Sequence, residues 1–472
     1  MTSLMKLLPR LSSARVVGDL PAEAVRVHTD SRSVASGDVF VALVGERFDA
    51  HAFLSQARDD GAVAAIAQHG LAQAGLVGVE VPDTTAALGE LSRLWREQFD
   101  LPLVAVTGSN GKTTVTQMLA SVLAEAVSDD ALATKGNLNN HIGVPMTLLR
   151  LRDNHRLAVV ELGMNHPGEI AYLASLAQPT VAVVNNAQRE HLEFMETVEA
   201  VARENGSVLS ALPASGVAVF PSDDAYTPVW RELAGSRRVL TFSDSDPNAD
   251  LHVTSAQWHD GAWSVKLATP DGEMSTRLHI AGRHNVRNAA AVAACALAAG
   301  VGLEAIAKGL SDFEPVKGRS RAMRLEFGGQ SVDLVDDTYN ANPDSMLAAV
   351  RVLSELPSPR VLVLGDMGEV GDQGAAFHEE VLAAAADQGI EHILCTGDTF
   401  GAVLGSAKAA NVSHFMTVDG LAEALVLQLK DGMNVRSMLI KGSRYMQMDR
   451  VVDAVAGLTA LRAAGKEAQH AA

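Results

Sequence analysis

Residues 104–114 read VAVTGSNGKTT, and this stretch decides the fold. An apolar run, a glycine loop and a helical pattern follow one another without a break. Gly108 and Gly111 permit backbone angles and close approaches that a Cβ atom would block. Loop amides and a helix N-terminus together form a concave site for anions. The stretch therefore predicts a phosphate-binding loop, in which Lys112 reaches the β- and γ-phosphates and Thr113 joins the shell of a Mg²⁺ ion.

The loop is shorter than the usual phosphate loop, which has a glycine where this chain has Val106. The pattern GxxGKT is weak by itself, and a glycine turn that caps a helix is the alternative. The preceding strand and the following helix favour nucleotide binding. We expect the nucleotide to be bound by Gly108, Ser109, Asn110, Gly111, Lys112, Thr113 and Thr114.

Strands and helices alternate on both sides of this loop, as they do around a parallel sheet. The short apolar runs LVAV, LAVVEL, TVAVVN and GVAVF predict strands that are buried on both faces. A period of two across residues 250–281 predicts an antiparallel flap, and a second α/β alternation begins near residue 313. We predict an α/β protein with three domains, which comprise residues 1–83, residues 84–313 with a linking helix at 84–100, and residues 314–472.

The composition indicates a globular chain with an acidic surface. Of 472 residues, 47% are hydrophobic and 20% are charged, which excludes a disordered or fibrous chain. A net charge of -18 repels nucleic acid and anionic lipid, so we expect neither as a partner.

No stretch approaches the ~20 apolar residues of a membrane span, and we expect no signal peptide. Cys295 and Cys395 lie in apolar stretches, which excludes a disulfide framework and favours a cytoplasmic location. We expect a monomer, because no long exposed apolar stripe is evident.

Two further strand ends carry candidates for metal binding. Glu161 ends the run LAVVEL beside the phosphate loop, where a nucleotide-bound Mg²⁺ needs a hard oxygen ligand. His191 follows the run TVAVVNN. A helix-capping or solvent-exposed Glu161 and a structural His191 are the alternatives when each residue is taken in isolation.

Seven blocks in a fixed order resemble the Mur ligases of peptidoglycan synthesis, and they span the chain from about residue 28 to 450. The blocks are TGSNGKTT, GNLNNHIGVPMTLL, ELGMNHPGEI, GRHNVRNAAA, DDTYNANPDSM, VLGDMGEVG and IKGSR. The family implies an N-terminal UDP-substrate domain, a central ATPase domain and a C-terminal Rossmann-like domain. YNANPDSM and GNLNNHIGVP are most similar to the members that join D-alanyl-D-alanine to UDP-N-acetylmuramoyl-tripeptide. Such a member uses ATP and Mg²⁺, passes through an acyl phosphate, and releases UDP-MurNAc-pentapeptide, ADP and phosphate.

The resemblance also assigns roles by position. The catalytic residues would be Lys112, Glu161, His191, Arg319 and Lys441, with Thr113, Glu161 and His191 holding Mg²⁺. The rest of the nucleotide would meet Asn285, Asn288, Arg319 and Asp337. The sugar-peptide substrate would meet Asp30, Ser31 and Arg32 at its uridine end and Asn137, Asn139 and Asn140 along its channel, while Asn340, Asn342 and Ser345 would lie near D-Ala-D-Ala. The joints at residues 83–101 and 310–318 would act as hinges that close the domains over the site.

One position departs from the family pattern. Many Mur ligases carry a carbamoylated lysine that acts as a carboxylate toward a second Mg²⁺, and this chain has Asn205 there. Glu204 is a poor substitute, because adjacent residues on a helix point about 100° apart. We therefore expect no carbamate, and a second metal held by His191, substrate oxygens and water.

Three alternatives remain open. Two share the chemistry: the Mur ligase that adds the third amino acid, and folylpolyglutamate synthetase. YNANPDSM argues against both, because they carry different C-terminal loops. The third is a phosphate-loop ATPase without ligase activity, which would need neither a uridine-type N-terminal domain nor a Rossmann-like third domain.

Overall fold

The computed structural model describes residues 3–45, 48–190, 192–259, 261–327, 329–406 and 411–458. Three separate sheets with flanking helices follow one another along the chain, and Val44–Gly45 and Phe48–Asp49 form a small two-stranded ribbon in the first region. This arrangement confirms the predicted α/β class with several parallel-rich sheets. Within the described ranges, no helix has the length and apolar character that crossing a membrane requires.

The first sheet has five strands, four of them parallel. In spatial order they are Arg15–Val17, Gly78–Glu80, Ala64–Ala67, Val39–Val41 and Val27–His28. The helices of this region are Leu4–Leu7, Leu54–Asp59 and Leu71–Ala74. Gly78 is required in its strand, since a Cβ atom there would lie 1.9 Å from the carbonyl oxygen of Ala65.

The second sheet has nine strands and carries the phosphate loop. In spatial order they are Gly272–Leu278, Ala262–Thr269, Leu251–His259, Arg238–Ser243, Val217–Pro221, Val181–Val184, Leu103–Thr107, Leu157–Glu161 and Ala131–Ala133. The strands from Leu251–His259 onward in this order pair in parallel, and the first three form the antiparallel flap that the period of two predicts. The helices are Lys112–Val127, Gly143–Leu148, Glu169–Ala177, Leu192–Met195, Val198–Ser210, Thr227–Ala234, Arg283–Ala298 and Leu303–Ser311.

The third sheet has six strands, with an antiparallel hairpin at one edge of a parallel sheet. In spatial order they are Arg321–Phe327, Gln330–Asp337, Ser437–Lys441, Arg360–Gly365, His392–Thr396 and Val412–Phe415. Its helices are Pro343–Ser354, Gly374–Asp387, Asp398–Ser406 and Val418–Lys430, followed by helical residues 449–458. The predicted domain divisions at 83/84 and 313/314 fall between the sheets.

The helix Thr84–Arg96 joins the first two sheets as a packed strut. Asp83 caps its start by accepting hydrogen bonds from the amides of Thr85 and Ala86. Near its end, buried Arg96 donates to the carbonyl oxygen of Ala177 at 3.0 Å. One cluster of buried apolar side chains runs from the first sheet through this helix into the second sheet, and it includes Val39, Ile66, Leu88, Leu91, Ala105 and Val160. The segment is therefore not the flexible hinge that the sequence analysis expected.

The joint before the third sheet is built differently. The two apolar clusters of that sheet draw their buried members from residues 325–458, apart from Ala281. Residues 313–316 between the helix Leu303–Ser311 and the strand Arg321–Phe327 have no regular structure. Relative motion of the domains should therefore occur at the joint 310–318.

We predict that Leu91→Ala lowers the free energy of unfolding by about 2–5 kcal/mol, because it opens a cavity in the core that the first two domains share. Urea unfolding followed by tryptophan fluorescence measures this change. Leu427→Ala is the control, since Leu427 is 58% exposed and its loss should cost no more than about 0.5 kcal/mol. Equal effects of the two substitutions would contradict a shared core.

Candidate active site

Three neighbouring strands of the second sheet end at the same edge, and the residues of the site lie at their carboxyl ends. Leu103–Thr107 lies between Val181–Val184 and Leu157–Glu161, and all three run in parallel. Their carboxyl ends therefore place the loop 108–111, Glu161 and the loop after Val184 side by side. In open α/β sheets this edge is where ligands bind.

The glycines of the phosphate loop are required by close packing. A Cβ atom on Gly108 would lie 2.9 Å from the amide nitrogen of Asn185. A Cβ atom on Gly111 would lie 2.6 Å from the side-chain nitrogen of the same asparagine. Both glycines also have positive φ, and Gly111 starts the helix Lys112–Val127. Side chains at these two positions would push the loop off the sheet edge.

Lys112 is held by its own loop and by one carboxylate. Its Nζ donates to the carbonyl oxygens of Gly108 at 2.7 Å and Ser109 at 3.1 Å, and to Glu190 Oε1 at 2.6 Å. Both ends of the ion pair are largely buried. All three hydrogens of the ammonium group are thus engaged, so a phosphate oxygen that reaches Lys112 must displace one of these three acceptors.

Glu161 offers a buried oxygen to a cation. Its side chain is 1% exposed, and Oε1 accepts hydrogen bonds from Asn139 Nδ2 at 2.7 Å and from Thr113 Oγ1 at 3.2 Å. No described residue donates to Oε2. A buried carboxylate oxygen without a partner is costly. Carboxylate and hydroxyl oxygens are the donors that Mg²⁺ prefers, so Glu161 and Thr113 fit that ion.

Asn205 anchors the phosphate loop. It is buried on the helix Val198–Ser210, and its Oδ1 accepts hydrogen bonds from the hydroxyl of Thr107 and, at 3.0 Å, from the amide of Gly108. The oxygen that sequence analysis placed at the carbamoyl-lysine position is thus engaged in holding the strand end. The neighbouring Glu204 accepts a hydrogen bond from the amide of Ile170, away from the loop. His191 lies outside the described residues.

A chain of amides forms the wall on the side expected for adenine. Asn288 Oδ1 accepts from Asn185 Nδ2 at 2.9 Å, and Asn288 Nδ2 donates to Asn285 Oδ1 at 2.8 Å. Both asparagines of the helix Arg283–Ala298 are buried. This wall is polar without a net charge.

The third domain adds cations and a carboxylate to the same place. Arg319 Nη2 donates to Thr113 Oγ1 at 3.1 Å, and the guanidinium lies 3.8 Å from the centre of the Tyr339 ring. The buried Nε atom of Arg319 donates to no described residue, so it is available to an oxyanion. Hydrogen bonds therefore connect Arg319 of the third domain, through Thr113, to Glu161 of the second domain.

Lys441 and Asp337 form a buried pair in this domain. Lys441 Nζ donates to Asp337 Oδ2 at 2.7 Å and to the carbonyl oxygen of Asn340 at 2.8 Å. Burial opposes ionisation of Asp337, but the charge and hydrogen bond of Lys441 outweigh it and hold the pKa of Asp337 below its ordinary value. The lysine therefore fixes an ionised carboxylate at the edge of the cleft.

A cleft of about 750 Å³ lies between the second and third domains. This volume is within the range of small-molecule sites. The structure brings most of the predicted site residues to its walls: Ser109, Asn110, Gly111, Lys112, Thr113, Thr114, Asn137, Asn139, Asn140, Glu161, Asn285, Asn288, Arg319, Asp337, Asn340, Asn342, Ser345 and Lys441.

Several of these asparagines have partners that sequence reasoning did not foresee. Asn140 Oδ1 accepts from the amides of Ile142 and Gly143 and so starts a short helix. Asn342 and Ser345 form a reciprocal cap on the helix Pro343–Ser354. Asn342 Nδ2 also donates to Asn110 Oδ1 at 2.9 Å, which joins this helix to the phosphate loop.

Asp30, Ser31 and Arg32 lie in the first domain and are not part of the cleft wall. Asp30 caps a short 3₁₀ turn, and the guanidinium of Arg32 donates hydrogen bonds to both oxygens of its carboxylate. The hydrogen bond from the Arg32 side chain lowers the pKa of Asp30 to about 2. Since Arg32 is highly exposed, this pair is open to an anionic ligand.

Sequence reasoning missed the loop before His191. Asn186 Oδ1 accepts from the amide of Asn110 at 2.9 Å, and Gln188 Oε1 accepts from Asn110 Nδ2 at 2.6 Å. Arg189 and Glu190 follow, with the contacts of Glu190 given above. The available signal was the polar run NNAQREH directly after a buried strand, a position where ligand-binding loops occur.

Comparisons with known proteins agree on one family. The Mur ligase middle domain matches residues 106–296, the Mur ligase glutamate ligase domain matches residues 323–444, and the Mur ligase family catalytic domain matches residues 24–96. The chain is 41% identical over 437 residues to the UDP-N-acetylmuramoyl-tripeptide–D-alanyl-D-alanine ligase of Escherichia coli K12, covering 93% of this chain and 94% of that protein.

Solved structures give the same result. The crystal structure of MurF from Acinetobacter baumannii is 38% identical, has a TM-score of 0.84, and is matched over 92% of this chain and 93% of its own. MurF from Thermotoga maritima, solved in complex with ADP, is 26% identical with a TM-score of 0.80, matched over 93% and 98% of the two chains.

We predict that Glu161→Gln weakens Mn²⁺ binding in the presence of ADP by about tenfold or more, because an amide replaces the anionic oxygen. Electron paramagnetic resonance titration of Mn²⁺ measures the affinity directly. Glu199→Gln is the matched control, since Glu199 pairs with Arg203 on an exposed helix surface. Unchanged Mn²⁺ affinity in the Glu161 variant would remove this carboxylate from the metal site.

We also predict that bicarbonate leaves metal affinity unchanged and adds no carbamoyl mass to the protein. The reason is that Asn205 stands at the expected lysine position and has its oxygen engaged by the loop. The same Mn²⁺ titration with and without bicarbonate, followed by intact-mass measurement, tests this expectation. A bicarbonate-dependent gain in Mn²⁺ affinity would contradict it.

Proposed function

The chain belongs to the Mur ligase family, and we propose that it joins D-alanyl-D-alanine to UDP-N-acetylmuramoyl-tripeptide, with conversion of ATP to ADP and phosphate. The observation that carries this proposal is one cleft in which three features meet: a phosphate loop, a carboxylate oxygen of Glu161 to which no described residue donates, and a cation from the third domain, Arg319. The 41% identity to the E. coli ligase over almost the full chain supports the choice of substrates.

A carboxylate is a poor acylating agent, so the terminal carboxylate of the tripeptide first takes the γ-phosphoryl group. The amine of D-Ala-D-Ala then attacks the acyl carbon, forms the amide and displaces phosphate. Phosphoryl transfer depends on positioning and neutralisation of charge. The loop amides and Lys112 provide both for the phosphates, once these have replaced Glu190 on the lysine.

We propose that Mg²⁺ binds beside Glu161 Oε2 and the hydroxyl of Thr113, where it would neutralise part of the phosphate charge. His191 remains a predicted ligand of a second ion. Arg319 reaches Thr113 from the third domain, so this arginine completes the cationic surround when the domains are together.

Exclusion of water is the second task of the closed cleft. An acyl phosphate is open to hydrolysis until the amine arrives. Asn342 contacts the tip of the phosphate loop at Asn110, and Arg319 contacts Thr113, so the third domain covers the loop from two directions. This cover protects the reacting carboxylate while both substrates are bound.

The remaining assignments are proposals of the same kind. We place adenine against Asn285 and Asn288, and the uridine end of the substrate against residues 30–32 of the first domain. Asp337 would contact the ribose, with Lys441 as the residue that positions it. The channel residues at 137–140 would meet the sugar-peptide, and residues 340–345 D-Ala-D-Ala.

We propose that the protein works as a monomer in the cytoplasm on small-molecule substrates. Its two cysteines are buried and free, which is consistent with a reducing compartment. Sedimentation velocity tests the oligomeric state.

A matrix of substrates tests the proposed reaction. We expect ADP release only when ATP, UDP-tripeptide and D-Ala-D-Ala are all present, with the pentapeptide detected by mass spectrometry. Both the diaminopimelate and the lysine tripeptides are assayed, together with single D-Ala and glutamate as acceptors. Product with single amino acids would favour the two related ligases, and ADP release without any acceptor would favour a non-ligase ATPase.

The same assay is carried out with the protein variant Lys112→Ala. Loss of the ammonium that neutralises the transferring phosphate should lower kcat by a factor of about 10² or more. Arg203→Ala is the matched control, because Arg203 is an exposed cation that pairs with Glu199 on its own helix. Equal turnover in the two variants would place phosphoryl transfer elsewhere.

A further inference from the structure

Arg189 links the second and third domains through two carboxylates. Its guanidinium donates to Asp344 Oδ1 at 2.8 Å from Nη2, and to Glu380 Oε2 at 2.7 Å from Nη1. It also lies 5.2 Å from the centre of the Phe377 ring. Both ion pairs join the second domain to the third.

Asp344 accepts hydrogen bonds from the main chain of Arg189 as well as from its side chain. The backbone amide of Arg189 donates to Asp344 Oδ2 at 2.7 Å, so one carboxylate holds both the main chain and the guanidinium of the same residue. The next residue is Glu190, which pairs with Lys112 of the phosphate loop. A contact with the third domain therefore fixes the backbone of the loop that faces the phosphates.

Asp344 lies close to a second contact between the two domains. It lies in the first turn of the helix Pro343–Ser354, two residues after the capping residue Asn342, which contacts Asn110. One helix end of the third domain thus contacts both the phosphate loop and the neighbouring loop 186–190. Arg189 and Asp344 are each only 24% exposed at their side chains, so the pair is partly shielded from solvent.

We propose that Arg189 is a positioning residue for the ligation reaction, which latches the third domain closed by binding Asp344 and Glu380. The effect on ligation rests on the function proposed above, whereas the effect on closure does not. Loss of the latch shortens the time for which the cleft is closed. Water then attacks the acyl carbon of some acyl phosphate, which returns the carboxylate and releases phosphate without amide formation.

Closure is measured as a distance, without turnover. Spin labels are attached at Glu232→Cys in the second domain and Glu423→Cys in the third, both at exposed positions, while Cys295 and Cys395 are buried and escape labelling. Pulsed dipolar spectroscopy with Mg²⁺ and ADP should give a closed population whose ratio to the open one falls about tenfold in Arg189→Ala. Arg203→Ala, which breaks an ion pair within one helix, should leave the distribution unchanged.

Substitution of both partners separates a latch from an indirect effect. Asp344→Ala should also lower this ratio, and the loss in the double variant Arg189→Ala with Asp344→Ala should be smaller than the product of the two single losses, because both substitutions remove the same contact between the guanidinium and Asp344. Multiplicative losses would overturn the pairing. A closed population in Arg189→Ala equal to that of the unsubstituted protein would overturn the latch itself.

The reaction gives a second readout. The ratio of ADP released to amide formed should rise in Arg189→Ala and stay near one in Arg203→Ala, with circular dichroism verifying that both variants fold. A loss of rate without a rise in this ratio would overturn the role in ligation. If the unsubstituted protein forms no amide, the proposed function fails while the distance experiment still decides the latch.

Discussion

The close approach of the phosphate loop to the neighbouring strand end is the constraint on which the site depends. Gly108 and Gly111 leave no room for a Cβ atom against Asn185, so the loop is pressed onto the sheet edge. Asn205 then fixes the beginning of the loop from the helix behind it. With the loop in this position, Thr113 lies within hydrogen-bond distance of Glu161, and the helix dipole points at the same spot.

The third domain uses this fixed edge as its docking surface. Asn110 at the tip of the loop contacts Asn342, and Thr113 at its base contacts Arg319. Polar contacts of this kind can be exchanged with water at modest cost, unlike the apolar core that joins the first two domains. This difference supports the expectation that the third domain moves relative to the first two.

Sequence patterns predicted the parts of the site that depend on local order. Lys112, Thr113 and Glu161 follow buried strands, and parallel strands bring their carboxyl ends together, so their proximity could be derived. The partners of Lys112 and Asn342 could not, because Glu190 and Asn110 reach them through loop and domain packing that periodicity does not encode. The helix Thr84–Arg96 was predicted correctly as a helix, but its role as a strut depends on the apolar cluster around it, which only the folded chain shows.

Arg189 and Glu190 are neighbours of opposite charge that face opposite sides of the cleft. The carboxylate pairs with Lys112 in the second domain, and the guanidinium pairs with Asp344 in the third. Phosphates that displace Glu190 from Lys112 leave the backbone of this loop held by Asp344 through the amide of Arg189. Arg189 and Glu190 share one peptide unit, so a shift of the main chain at one of these residues also moves the other. The loop thus gives occupation of the phosphate loop and docking of the third domain a physical connection through one short stretch of main chain.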